Sequence, residues 1–551
     1  MDNRDNLNQY ITDAIRNNWE RFALSDFDGS SFQYRDVARK IAKLHILFDR
    51  VGIKTGDKIA LCGRNSAQWA IAFLASVTYG AVAVPILHDF KPDNIHHLVN
   101  HSEARLLFTD ASVWEHLDPE AVSALEGVFL ISDYSLLLCR NTVLDDTRHH
   151  LNQLFGEKYP ERFTSDDVSY FNPDPDQLAV INYTSGSTGF SKGVMLSYRN
   201  LWSNLQFCID GLKFLAPGDG LVCMLPLAHM FGLMVELLHP FAKGCHISFL
   251  TRTPSPHVIM DAFTRVKPKL IVTVPLIIEK IIRSKVFPML EKPTMKILLN
   301  LPLIRDKILS KIKTRLTEVF GGNVLEIIIG GAGLNSDVEK FLRRIQFPFT
   351  VGYGMTECGP LIAYAPWDIQ RPASCGKIVD RMSMRIDSPD PENQPGVLWV
   401  KGDNVMKGYF KNPEATETTI IDGWLNTGDI CTADADGFLY IRGRDKNMIL
   451  GPSGQNIYPE EIEMQLNAMP YVNESLVVER DGKLVALIHP DVENAKRQHI
   501  GEKELADILK KNIKTLNPSL PSYSQIADLE IMPEEFEKTP KRSIKRFIYQ
   551  H

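Results

Sequence analysis

The stretch Tyr183-Thr-Ser-Gly-Ser-Thr-Gly-Phe-Ser-Lys-Gly-Val-Met195 decides the fold, and the apolar run Leu178–Tyr183 leading into it predicts a buried strand. Its glycines allow backbone N–H groups to approach phosphate oxygens, while its hydroxyl groups and Lys192 add donors and positive charge. The stretch is not a Walker A loop, because Ser191 stands where that motif has glycine before the lysine. A strand followed directly by such a loop predicts a phosphate-binding site at the end of a sheet.

Short apolar runs alternate with helical patterns on both sides of this loop, which predicts βα units and parallel sheets. Ligands of doubly wound sheets sit beyond the carboxyl ends of the strands, so the loops after these runs are the expected site. The strand candidates are Lys58–Cys62, Arg105–Thr109, Val128–Ile131, Leu178–Tyr183, Leu221–Leu225, Leu270–Val274 and Val324–Ile329.

The pattern changes after about residue 375, where short strands and turns predict an antiparallel barrel or sheet. A further change follows Arg444. Pro459 and acidic residues start a helix there, and Asp481-Gly482 predicts a hairpin turn between two strands. The C-terminal part is therefore expected to be a compact α+β domain.

Composition sets wide limits on function. The chain has 551 residues, of which 44% are hydrophobic and 23% charged, which excludes a disordered chain, a collagen and a disulfide-rich mini-protein. A net charge of −6 argues against nucleic acid as a partner. The eight cysteines are scattered and form no CxxC pair, so we expect reduced, mostly buried thiols in a cytoplasmic protein.

Two segments bear on membrane insertion and export. The N-terminal residues carry charges throughout and lack the apolar region of a secretory signal. Ser66 to Leu87 has no charged residue and is long enough for a membrane span. Gly80 and Pro85 interrupt it, so a buried helix followed by a buried strand, Ala81–Pro85, is the expected structure.

Five further motifs follow in chain order: Leu225-Pro-Leu-Ala-His-Met-Phe-Gly232, Gly330-Gly-Ala-Gly-Leu334, Gly352-Tyr-Gly-Met-Thr-Glu-Cys-Gly359, Trp424-Leu-Asn-Thr-Gly-Asp429 and Ile441-Arg-Gly-Arg-Asp-Lys446. Together with the loop after residue 183, they resemble the signatures of the adenylate-forming, AMP-binding superfamily. This superfamily includes acyl-CoA synthetases, firefly luciferase and the adenylation domains of nonribosomal peptide synthetases. The resemblance runs from about residue 30 to the C-terminus and is strongest to bacterial long-chain fatty acyl-CoA synthetases. Ser191 and Gly333 depart from it, since the family usually has proline at both positions.

The resemblance implies an α/β fold with two domains. Residues 1–443 would form a large AMP-binding domain of two doubly wound subdomains plus a small β-barrel. Residues 444–551 would form a small mobile C-terminal α+β domain with its hinge near Lys446. ATP, Mg²⁺ and coenzyme A, the last as co-substrate, are the implied cofactors.

The resemblance also assigns roles to individual residues. Tyr353 would offer a flat face to adenine, Thr356 would bond the α-phosphate, and Asp429 would hold both ribose hydroxyls. Catalytic roles fall to Thr188, Lys192, His229, Glu357 and Lys541, with Glu357 also the Mg²⁺ ligand. The implied nucleotide-binding residues are Thr184, Ser185, Gly186, Ser187, Thr188, Gly189, Lys192, Gly331, Ala332, Gly333, Tyr353, Gly354, Met355, Thr356, Asp429 and Arg444.

One departure lies near the C-terminus, in Lys538-Thr-Pro-Lys-Arg-Ser-Ile-Lys-Arg546. The family carries a lysine here that binds the carboxylate and α-phosphate, and the aligned residue in this chain is Ser543. A neutral hydroxyl cannot replace that cation. Two interpretations stay open: Lys541 or Lys545 reaches the site, or the tail is a solvated basic segment without a role in adenylation.

The implied reaction is ATP-dependent formation of an acyl-AMP, followed by transfer of the acyl group to a thiol. In the family a Trp after Glu357 closes the pocket for acetate-sized acids, and this chain has Cys358-Gly359-Pro360 instead. A medium- or long-chain fatty acid is therefore expected as substrate. An acyl–acyl-carrier-protein synthetase and a catalytically weakened acyl-nucleotide binding protein remain alternatives, and the oligomeric state stays open.

Basic residues cluster between Arg265 and Arg315. One interpretation is a solvated face. The other is contact with anionic lipid, which would place the protein peripherally on the inner membrane face, or with an acidic acyl carrier protein.

Overall fold

A computed structural model describes residues 6–184, 191–251, 256–450, 455–480, 482–539 and 544–550. The predicted loop residues Ser185, Gly186, Ser187, Thr188 and Gly189 lie outside these ranges, as do Lys541 and Ser543. The described chain begins with a large α/β part, passes through antiparallel sheets and ends in a small α+β unit. This agrees with the fold class predicted from the sequence.

An eight-stranded sheet leads into the predicted phosphate-binding loop. Its central strands are parallel and buried, and its edge pairs are antiparallel. In spatial order the strands are Gly408–Tyr409, Lys192–Ser197, Leu178–Thr184, Val82–Ile86, Lys58–Cys62, Ala104–Thr109, Gly127–Leu130 and Leu136–Cys139.

Two smaller sheets make up the rest of the α/β part. In a four-stranded sheet, Gly220–Cys223, His246–Phe249 and Phe22–Asp26 run parallel and Ser31–Gln33 is antiparallel. A second sheet is wholly parallel, and its strands are Leu270–Thr273, Glu326–Ile329 and Phe349–Val351.

The chain then changes to antiparallel pairing, as its sequence pattern predicts. One sheet has three short strands, Tyr353–Gly354, Leu361–Tyr364 and Lys377–Ile378. A larger sheet contains Met382–Asp387, Gly396–Gly402, Ile420–Ile421, Trp424–Ala433 and Leu439–Arg444.

The C-terminal unit has a core of its own, built around Leu466, Ile488 and Leu509. The predicted hairpin is present, and Gly482 has the positive φ (+72°) that its tight turn requires. The strands are Ile449–Leu450, Asn456–Ile457, Val472–Arg480, Lys483–Pro490 and Ile526–Ile531, and the helices are Pro459–Asn467, Val492–Arg497 and Glu502–Leu516.

Helices pack against both faces of the eight-stranded sheet. The α-helices before residue 444 are Leu7–Asn17, Tyr34–Val51, Ala67–Tyr79, Pro92–Ser102, Ala111–Trp114, Thr142–His149, Leu151–Lys158, Tyr198–Gly211, Met230–Gly232, His239–Ala242, Pro256–Val266, Pro275–Ile281, Phe287–Leu290, Pro293–Leu299, Pro302–Val319, Ser336–Arg344 and Pro413–Thr419. Leu233–Leu238 and Ile282–Val286 are π-helical. Single 3₁₀ turns occur at Pro119–Val122, Ser165–Asp167, Thr356–Cys358, Asp445–Asn447, Asn517–Ser519, Ser522–Ser524 and Arg546–Ile548.

The uncharged segment after Ser66 is a buried helix followed by a buried strand, as predicted. Ser66 caps the helix by accepting a hydrogen bond from the backbone N–H of Trp69 (3.1 Å). Every residue from 67 to 78 is buried. Among the described residues, no helix combines the length and apolar character that crossing a bilayer requires.

All eight cysteines lie at described positions and all are free thiols. Seven are buried, and Cys139, on the edge strand of the large sheet, is exposed. The expectation of reduced, mostly buried thiols therefore agrees with the structure.

The C-terminal tail is attached to its domain by a buried ion pair. Arg546 donates from both terminal nitrogens to the carboxylate of Glu463, at 2.8 Å each. Glu463 also accepts a hydrogen bond from the backbone N–H of Val477 (2.7 Å). Burial raises the pKa of the Glu463 carboxyl, and the Arg546 charge opposes that rise.

We expect Arg546→Ala to destabilise the C-terminal domain by about 3 to 5 kcal/mol, because it leaves a buried carboxylate without its partner. Adding Glu463→Gln to that variant should recover part of the loss. Urea unfolding measures both effects. Lys545→Ala is the matched control, since the partner of Lys545 is the largely exposed Glu537. A loss in Arg546→Ala no larger than in the control would contradict a stabilising role for the buried ion pair.

Candidate active site

Two of the glycine-rich motifs meet at one edge of a parallel sheet. Strands Glu326–Ile329 and Phe349–Val351 are parallel neighbours, so the segments after them leave the sheet side by side. The backbone N–H of Gly352 donates to the carbonyl of Ile329 at 2.9 Å, which fixes their relative position. Gly331, Ala332 and Gly333 are exposed at this edge.

The buried carboxylate of Asp429 joins this edge to the larger antiparallel sheet, which contains the strand Trp424–Ala433. The Tyr353 hydroxyl donates to Oδ2 of Asp429 at 2.5 Å, and Nε of Arg444 lies 3.2 Å from Oδ1 of Asp429. Asp429 and Arg444 are opposite each other in the strand register. Burial raises the pKa of Asp429, and the Arg444 charge opposes that rise. The structure thus brings together three residues predicted separately.

Tyr409 contacts both Lys192 and Glu357. The Lys192 ammonium lies over the Tyr409 ring, 4.7 Å from its centroid. The Tyr409 hydroxyl donates to Oε1 of Glu357 at 2.9 Å. Tyr409 pairs with Val194 in the sheet, which places its ring beside the strand that begins at Lys192. Sequence patterns do not reveal Tyr409, because only this long-range pairing brings it to the site.

The segment that carries His229 is fixed by buried polar side chains. Nδ2 of Asn182 donates to the carbonyl of Ala228 at 2.8 Å. Asn65 donates to the carbonyl of Leu225 (2.6 Å) and accepts from the N–H of Leu227 (2.9 Å). His229 itself is half-buried. Neither asparagine was predicted, although Asn65 closely follows a predicted strand and Asn182 lies within one.

Close packing explains two glycines of the motifs. A Cβ atom at Gly330 would lie 2.9 Å from the Phe231 ring, so the His229 segment packs directly on the glycine loop. A Cβ atom at Gly354 would lie 2.2 Å from the Pro360 carbonyl oxygen, which no other residue tolerates. Gly354 stands between Tyr353 and Met355, two residues before Thr356. These contacts hold the predicted nucleotide-binding segments in one place.

Lys446 lies on a single 3₁₀ turn, Asp445–Asn447, that leads into the C-terminal unit. Burial lowers the pKa of the Lys446 ammonium, and the nearby Arg444 charge lowers it further. Asp429 and Glu460 oppose this shift. The predicted hinge residue is therefore close to the carboxylate that holds Tyr353 and Arg444.

The structure also describes Thr184 and Lys545 and bears on the predicted metal site. The Thr184 hydroxyl donates weakly to the carbonyl of Lys192 (3.4 Å), across the ends of the undescribed loop. Lys545 forms an ion pair with Glu537. Within the described ranges, no three His, Cys, Asp or Glu side chains cluster as metal ligands would.

Two protein-family models match this chain. The family model of AMP-binding enzymes matches residues 11–410, and the model of the AMP-binding enzyme C-terminal domain matches residues 446–550.

Relatives match over most of the chain. 4-coumarate–CoA ligase 1 of Solanum tuberosum is 27% identical over 88% of this chain and 83% of its own length. A long-chain-fatty-acid–CoA ligase of Escherichia coli O6:H1 is 29% identical over 78% of this chain and 74% of its own. The ATP-bound crystal structure of MatB from Rhodopseudomonas palustris has a TM-score of 0.76 at 24% identity, covering 99% of this chain and 98% of that one, and confirms the fold.

A buried glutamate holds the start of the His229 segment. The Glu236 carboxyl accepts hydrogen bonds from the backbone N–H groups of Met224 (3.2 Å) and Leu225 (2.8 Å). Because these two N–H groups donate to Glu236, they do not pair with a neighbouring strand. The strand therefore ends at Cys223, whereas the sequence predicted that it would end at Leu225. Burial raises the pKa of Glu236 to about 8.

The contribution of Glu236 to the free energy of unfolding should therefore fall as the pH rises from about 5 to about 8. The unfolded chain releases the Glu236 proton near the ordinary glutamate pKa of 4.5, whereas the folded chain keeps it up to about pH 8. We expect the free energy of unfolding of Glu236→Gln, relative to that of the wild type at the same pH, to increase over this range, measured by urea unfolding at several pH values. The matched control is Glu318→Gln, at an exposed position. Equal pH slopes in the wild type and Glu236→Gln would contradict the prediction.

Proposed function

Because the chain belongs to the AMP-binding enzyme family, we propose that it activates a medium- or long-chain fatty acid with ATP and transfers the acyl group to coenzyme A. The coarser activity, that of an adenylate-forming acid–CoA ligase, follows from the family and from relatives over most of the chain. In the first half-reaction, a carboxylate oxygen attacks the α-phosphorus of ATP. The bond to pyrophosphate breaks and an acyl-AMP forms.

The observation that carries the proposal is that one motif, Gly352–Gly359, contributes to two groups of predicted site residues: Tyr353 contacts Asp429, which pairs with Arg444, and Glu357 accepts from Tyr409, whose ring lies under Lys192. In the proposed complex, Asp429 accepts hydrogen bonds from the ribose hydroxyls. Lys192 and the loop that precedes it bind the phosphates. Gly331, Ala332 and Gly333 would line the adenine side, with Tyr353 against the base and Thr356 on the α-phosphate.

Glu357 fits a Mg²⁺ ion that accompanies ATP. One of its oxygens accepts a hydrogen bond from Tyr409, which orients the carboxylate and leaves the other oxygen for a cation. Mg²⁺ is commonly held by one or two carboxylates together with substrate phosphates, so a dedicated cluster of ligands is not required. When bound, the ion neutralises phosphate charge. The chain orients Glu357 through Tyr409, whose ring also lies under the Lys192 ammonium.

The second half-reaction needs access for the thiol. Coenzyme A attacks the acyl carbonyl through its sulfur, and AMP leaves. We propose that residues 444–551 swing about Lys446 between the two steps. The separate core of the C-terminal unit and its connection through the turn Asp445–Asn447 support such a motion.

Three features favour an aliphatic acid. Glu357 is followed by Cys358, Gly359 and Pro360, with no large side chain to fill the pocket. The buried segment Met230–Leu238 next to His229 is apolar except for Glu236. The Glu236 carboxyl is bonded to the backbone of Met224 and Leu225 instead of pointing freely into a pocket. His229 would border the acyl group.

Fatty-acid-dependent exchange of pyrophosphate into ATP tests the proposal. We expect exchange to increase from acetate to palmitate and to exceed that with 4-coumarate. Thioester formation is then compared with coenzyme A and with acyl carrier protein as acceptor. Highest exchange with 4-coumarate would overturn the fatty-acid assignment, and preference for the carrier protein would overturn the role of coenzyme A. Absence of exchange with every acid would indicate a weakened acyl-nucleotide binding protein.

The missing lysine at position 543 gives a second test. We propose that Lys541 supplies the cation for adenylation, since Lys545 is engaged by Glu537. Lys541→Ala should lower the exchange rate by about 100-fold or more, as expected for removal of one group that stabilises transition-state charge. Lys545→Ala is the control and should retain most activity. Full exchange in Lys541→Ala would contradict the assignment.

A further inference from the structure

A helical hairpin on the large domain exposes an unusual number of apolar side chains. It comprises the helices Pro293–Leu299 and Pro302–Val319. Ile297 is 66% exposed, Leu301 48% and Ile304 39%. Single exposed apolar residues are common on protein surfaces, but several within one short segment indicate an interaction site.

The same hairpin is strongly basic. Residues 291–315 contain seven lysines and arginines against Glu291 and Asp306, a net charge of +5 in a chain whose net charge is −6. Arg305 pairs with its neighbour Asp306 at 3.0 Å. In the described part of the chain, Lys296, Lys307 and the other basic side chains of this segment form no ion pair. Their charges are available to a partner.

The hairpin is fixed to the domain at its base. Leu309, Ile312 and Leu316 are buried in the core around the second parallel sheet. The tip, residues 292–307, is mostly exposed. Ile304, Lys307 and Lys311 are spaced three and four residues apart, so one helix face presents both apolar and basic side chains.

We propose that this hairpin docks the protein on the surface of an anionic lipid bilayer. Ile297, Leu301 and Ile304 would enter the boundary between headgroups and acyl chains, and Lys292, Lys296 and Lys307 would lie at the phosphates. The mixture of aliphatic and basic side chains favours a bilayer over an acidic protein. A lipid interface accepts both kinds of side chain at once, whereas an acidic protein would need a matching apolar pocket. The inference does not depend on which acid the enzyme activates.

The test is flotation of the full-length protein with vesicles of phosphatidylcholine alone or with about 30% phosphatidylglycerol. We expect binding only to the anionic vesicles, and weaker binding when NaCl rises from about 0.1 to about 0.5 M. Lys296→Gln/Lys307→Gln should weaken binding by about tenfold or more, since each cation near such a surface contributes substantially. Ile297→Ser/Leu301→Ser should weaken it while preserving the salt dependence of what remains.

Control variants change the same types of residue elsewhere. Lys503→Gln/Lys510→Gln removes two exposed lysines of the C-terminal domain, and Ile369→Ser removes an exposed isoleucine on a loop. Both should bind anionic vesicles like the wild type, and circular dichroism establishes that every variant is folded. Absence of wild-type binding, or equal losses in the control variants, would overturn the proposal. Binding to an acidic carrier protein without vesicle binding would also overturn it and assign the hairpin to a protein partner.

Discussion

The hydrogen-bonded carboxylate of Asp429 connects two parts of this molecule. It lies on the larger antiparallel sheet opposite Arg444 of the same sheet, and it accepts a hydrogen bond from Tyr353, which follows the last strand of a parallel sheet. A buried carboxylate is costly unless its oxygens are paired, so both partners are needed to keep it in place. Satisfying this group therefore holds Tyr353 against the antiparallel sheet at the candidate site.

Buried polar side chains have a similar role on the other side of the site. Asn65, Asn182 and Glu236 each bond the backbone between Met224 and Ala228, where no strand or helix of the described chain pairs those groups. Because the donors and acceptors come from separate elements, the segment has one arrangement in which all are satisfied. His229 takes its position from this framework.

The sequence predicted most of the fold because its signals are local. Apolar runs, the helix start at Pro459 and the turn at Gly482 each act within a few residues, and the corresponding elements are present. Site residues could be named only through family motifs, since Tyr353 and Asp429 are far apart in the chain. Tyr409, Asn65 and Asn182 could not be found, because their roles arise from strand pairing and packing between distant segments. The end of the strand after Gly220 was misplaced for the same reason, as Glu236 captures its next N–H groups.

The distribution of cysteines has a practical consequence. Burial raises the pKa of the seven interior thiols, for example Cys62 and Cys358, which keeps them protonated and poorly nucleophilic in the folded protein. Cys139 alone is exposed. A maleimide reagent applied to the native chain would thus attach at one defined position on the edge of the large sheet, without mutagenesis. Labelling of the remaining thiols would mark the loss of the cores around them, so the protein carries its own reporter of unfolding.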